Sequence, residues 1–75
     1  MKTRQERAQE FRNKGATPRD ALLLAVNALC TEKLDVSDPG VKTTIYNNIL
    51  QQHGMEDAID YVARKLTEES AGLDE

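Results

Sequence analysis

"ALLLAVNALC", residues 21–30, decides the fold. Nine of its ten residues are apolar, so it has no period-two alternation of a half-buried strand, and it is about half the length of the roughly 20 residues a bilayer crossing needs. The residues just before it set its conformation. Thr17-Pro18-Arg19-Asp20 supplies a threonine cap, a proline at the first helical position where its missing N–H costs nothing, and a carboxylate at the positive end of the helix dipole. This pattern predicts a helix over 18–33. Its polar positions Asp20, Asn27 and Thr31 form one thin stripe, and apolar side chains cover the rest. Such a helix must be enclosed by neighbours, and in a short chain a second subunit is one means of covering what the other helices leave bare.

The neighbours are read the same way. Thr3-Arg4-Gln5-Glu6 is a capping-box pattern, predicting a helix over 3–14 that Gly15 ends, with Ala8 and Phe11 as its narrow apolar stripe and Phe11 as its main anchor. After the turn-rich "LDVSDPG", Asp38-Pro39 starts a third helix over 39–53. Val41, Ile45, Tyr46, Ile49 and Leu50 share one half of it, while Thr43, Thr44, Asn47, Asn48 and Gln51 form an outer half without charge. Gly54 stops that helix and a fourth follows over 55–68, with Met55, Ala58, Ile59, Val62, Ala63 and Leu66 facing inward and Asp60 and Arg64 spaced for an i,i+4 pair. Beyond it the apolar periodicity is lost and residues 69–75 read as a disordered, flexible acidic tail. The expected fold is an all-α, small four-helix bundle forming a single helical domain over 1–68.

The net charge of −3 is unevenly spread. Residues 1–19 carry six basic groups against two acidic, or +4, and residues 20–75 carry four basic against eleven acidic, or −7. Such asymmetry suits either a basic nucleic-acid arm or an N-terminal helix docked on the acidic remainder or on a second copy. Cys30 is the only cysteine, which rules out an internal disulfide and points to a reducing, cytoplasmic setting, and the shortness of the longest apolar stretch argues against a membrane segment. Catalysis is not expected. Cys30 lies in the most apolar helix, away from the one histidine, and reads as a buried structural thiol; His53 reads as a last-turn residue at a helix C-terminus. Glu56, Asp57 and Asp60 suit the first turns of a helix and lack the spaced oxygens of a calcium loop, so neither a metal nor another cofactor is expected.

Two functions fit this outline. The expected one is a small non-catalytic regulatory or adaptor module that binds another protein or a second copy of itself, as a homodimer. Its contact residues would be Thr43, Tyr46, Asn47, Leu50 and Gln51, because a face free of Lys and Glu is buried without their desolvation cost. The alternative is DNA recognition. "DVSDPGVKTTIYNNI", residues 35–49, is similar to the second half of a helix-turn-helix, with Thr43, Thr44, Asn47 and Asn48 placed for base edges and Arg4, Arg7, Arg12, Lys14, Arg19 and Lys42 for phosphates. Against it stand a connection of about six residues where that motif prefers three or four, and the carboxylates of Asp35, Asp38, Glu56 and Asp57 in the flanking sequence, which repel phosphate.

Overall fold

Each of the first three helices begins where a side chain closes a free backbone donor. In the computed structural model, which describes residues 3–67, α1 (Arg4–Lys14) opens on a complete capping box: the Glu6 amide donates to Thr3 Oγ1 at 3.2 Å and the Thr3 amide to Glu6 Oε1 at 2.9 Å. α2 (Pro18–Leu29) starts with the Asp20 amide donating to Thr17 Oγ1 at 3.1 Å. α3 (Pro39–His53) starts with the Gly40 amide donating to Asp38 Oδ1 at 2.8 Å. α4 (Met55–Thr67) follows after Gly54 alone, whose φ of 82° is the left-handed conformation that favours glycine. The fold is the all-α four-helix bundle expected, with no strand among the described residues. The tail expected over 69–75 lies outside those residues.

The expected single α-helix over 18–33 is corrected at its end. Regular α-helix stops at Leu29, and Cys30–Leu34 continue as a π-helical turn. The Cys30 carbonyl accepts from the amides of both Asp35 and Val36, the latter at 2.9 Å, and Asp35 closes the turn at φ 53°, ψ 46°. Aspartate tolerates that left-handed geometry better than a branched residue would. Bonds that skip one residue further than in an α-helix widen the turn. Cys30 stays fully buried while Thr31, Glu32, Lys33 and Leu34 turn to solvent.

α1, α2 and α4 pack against one another, and α3 closes on α2 and α4. The centre is therefore shared by α2 and α4. Ala8, Ala21, Ala25, Ala58 and Ala63 are all at most 1 % exposed, so short side chains fill much of the space between these helices. Leu22, Ile59 and Val62 fill the middle, each contributing about 1.5–3 kcal/mol by burial. Phe11 and Ala8 anchor α1, as expected. The inward stripe of α4 also holds, with Ala58, Ile59, Val62, Ala63 and Leu66 buried and Met55 half-buried. On α3, Tyr46 and Ile49 are buried and Ile45 and Leu50 partly so, but Val41 is exposed.

The corner between α1 and α2 depends on Gly15 for space. Its φ of −82° suits any residue, yet a Cβ there would stand 2.4 Å from the Ala21 nitrogen and 2.7 Å from its Cα. Backbone cannot yield as a flexible side chain would. Gly15→Ala is expected to cost about 1–3 kcal/mol, in the range of overpacked cores, and to lower the urea midpoint at unchanged slope. An unchanged midpoint would contradict the close approach.

Candidate functional site

The candidate site arises from the one side of α2 that the other helices leave open. At about 100° per residue, Leu23 lies about 60° to one side of Asp20 and Leu24 about 40° to the other. They flank the polar stripe. Ala21, Leu22, Ala25, Val26 and Leu29 turn into the core, whereas Leu23 and Leu24 remain 43 % and 40 % exposed. α3 runs beside this flank, and together they form a groove of about 880 Å³ with Val26 and Tyr46 deep in it and Leu23 and Leu24 along it.

The rim is polar and cationic. Lys14 and Arg19 border the groove from the α1–α2 corner, and Lys42, Thr43 and Asn47 border it from α3. Lys42 Nζ donates to Asn27 Oδ1 at 3.0 Å, tying the two helices together through a neutral partner that leaves the lysine charge unbalanced. Asp20 is the one carboxylate among the described lining residues, so the groove carries three positive charges against one negative. No ion pair among the described residues engages Lys14, Arg19 or Lys42.

The expected contact residues are divided by this geometry. Thr43 and Asn47 are exposed on the rim, and Gln51 is exposed further along α3 outside the groove lining. Tyr46 is only 7 % exposed and Leu50 is half-buried, so Tyr46 belongs to the groove floor and not to an outward border. The Thr43 and Thr44 hydroxyls each donate to their own helix, at 3.0 Å to the carbonyls of Pro39 and Gly40, which leaves them as acceptors only.

Of the residues assigned to the nucleic-acid alternative, Lys14, Arg19, Lys42, Thr43 and Asn47 meet at the groove, and Thr44 and Asn48 are exposed on the same helix. Arg7 and Arg12 point elsewhere. Arg7 pairs with Glu32 at 3.5 Å and Arg12 with Asp60 at 2.9 Å, so the basic helix docks on acidic groups of the remainder. Exposed pairs of this kind contribute about 0–1 kcal/mol each, orienting α1 more than holding it. Arg4 stands at the far end of α1, roughly 15 Å along the helix from Lys14. Glu56 and Asp57 are absent from the groove lining and border a separate hollow beneath the α1–α2 corner.

Sequence reasoning missed Leu23 and Leu24 as site residues, although their angular distance from Asp20 and Asn27 was a usable signal. It also missed the stack of His53 on Tyr61, with ring centroids 4.2 Å apart and planes at 21°, which pins the end of α3 to α4. The Arg64 guanidinium and Lys65 ammonium lie 5.5 and 5.4 Å from the Tyr61 ring centroid.

Among the described residues no group of three His, Cys, Asp or Glu side chains is placed to hold a metal, and no helix is long and apolar enough to cross a membrane. Comparison with protein-family models, curated proteins and solved structures finds no match to this chain. If Leu24 belongs to a surface groove, Leu24→Asp should cost under about 1 kcal/mol, whereas Leu22→Ala on the buried side of the same helix should cost about 2–5 kcal/mol. Urea unfolding of the two variants checks the contrast.

Proposed function

We propose that this chain is a small, non-catalytic regulatory or adaptor module of the cytoplasm that docks on another protein through the groove between α2 and α3. The observation that carries this reading is the pair of adjacent leucines, 43 % and 40 % exposed, lying along a groove with buried Val26 and Tyr46 at its floor. Apolar surface covered by a partner gains about 25 cal/mol per Å², before the cost of association is subtracted. Thr43 and Asn47 on the rim add hydrogen-bonding capacity without a charge to desolvate. The buried free thiol of Cys30 fits a reducing compartment.

Nucleic-acid binding is the second reading, favoured by the gathering of Lys14, Arg19 and Lys42 beside Thr43 and Asn47. It is the weaker one. Phosphate neutralisation supplies most non-specific affinity, yet Arg7 and Arg12 are already engaged by carboxylates and the groove floor is apolar. Pairing two identical grooves about a two-fold axis would set like charges against each other, so the homodimer is a less favoured form of the protein-binding reading.

A photo-crosslinking residue at Asn47, with another at Gln9 of α1 as control, tests the choice in extracts of the native host. Protein adducts are expected from position 47, absent from position 9, resistant to nuclease and lost on Leu24→Asp. Adducts from position 47 that nuclease removes would favour the second reading.

A further inference from the structure

We infer that the groove takes an acidic amphipathic helix presented by a different protein, an inference that rests on the groove being the docking site. The lining runs from Arg19 to Asn27 on α2 and from Pro39 to Asn47 on α3, eight residue steps on each, or roughly 12 Å. That length admits about two turns of a partner helix. Large apolar side chains on one face of such a helix would cover the exposed surface of Leu23 and Leu24. Their flanking positions would come beside the cations of the rim.

The charge of the rim selects the partner's polar face. Lys14, Arg19 and Lys42 line the groove with a single carboxylate, Asp20, in a chain whose net charge is −3. Local sign and overall sign are opposed. Carboxylates on the polar face of the incoming helix would meet these cations, while lysines there would be repelled by the rim. The other modes of peptide capture fit less well. No strand among the described residues offers an edge for β-augmentation, and Tyr46, the one aromatic residue lining the groove, is 7 % exposed, which does not make the aromatic-lined groove that a polyproline segment needs. A nucleic acid would meet the cations but has nothing to set against the two leucines, and a second copy brings the same positive rim.

Three short helical peptides with identical leucine anchors, and with Glu, Gln or Lys at the flanking positions, test this by fluorescence anisotropy against the full chain. The Glu peptide is expected to bind about tenfold or more tighter than the Gln peptide at low salt, with the gap closing in about 1 M salt as screening shortens to a few ångströms. Lys14→Glu combined with Lys42→Glu should erase or reverse the Glu preference while circular dichroism stays helical, and Leu24→Asp should weaken all three peptides. Equal binding of the Glu and Gln peptides, lost on Leu24→Asp, would overturn the acidic occupant and leave the docking groove standing. Binding of no peptide, with salt-dependent binding of a mixed-sequence DNA duplex instead, would overturn both. A dimer in light scattering that Leu24→Asp dissociates would also overturn the inference, since a second copy would then fill the groove.

Discussion

The structure follows from a mismatch between one helix and the chain around it. α2 is apolar over most of its circumference, and three other helices of 11, 15 and 13 residues are all the described chain has to cover it. In a domain of this size too little chain exists to wrap any element completely. α1, α3 and α4 therefore take the sector centred on Leu22, Ala25 and Leu29, and the sector next to Asp20 and Asn27 stays open. The leucines at its edges are a consequence of that shortage.

How much of this was legible depended on range. Helix starts are decided within four residues, so Thr3-to-Glu6, Thr17-Pro18 and Asp38-Pro39 can be read directly, as can the inward stripe of α4. Features set by contacts between helices were not. The reach of Arg12 to Asp60, the seating of Tyr46 beneath the rim and the stack of His53 on Tyr61 join residues whose proximity depends on how the helices pack. Gly15 reads as a helix stop in the sequence, while its structural reason is lack of room beside Ala21. The π turn after Leu29 escaped because a wheel of fixed period assumes the α-helical repeat throughout. Within the site, Thr43, Asn47 and the basic residues of the rim could be named beforehand, but their convergence on one groove could not.

Charge is sorted by the fold as well as by the sequence. Four of the six basic residues of 1–19 fall into two groups: Arg7 and Arg12 are directed at Glu32 and Asp60, and Lys14 and Arg19 line the groove, where Lys42 joins them. The first group orients a helix with few apolar anchors. The second leaves a local positive field on an acidic molecule, which steers encounter more than it adds to final affinity.

The short corners between helices bear on the lifetime of the molecule. Gly15–Thr17 joins α1 to α2 and Gly54 alone joins α3 to α4, so two helical hairpins can close between sequence neighbours. Chains dominated by such local closures fold in roughly microseconds to milliseconds, and a marginal domain that folds quickly also opens often. Each opening offers a protease its chance. A ligand that binds only the folded form suppresses those openings by RT ln(1 + [L]/Kd), so the cellular level of such a protein would rise and fall with the supply of any ligand selective for its folded state.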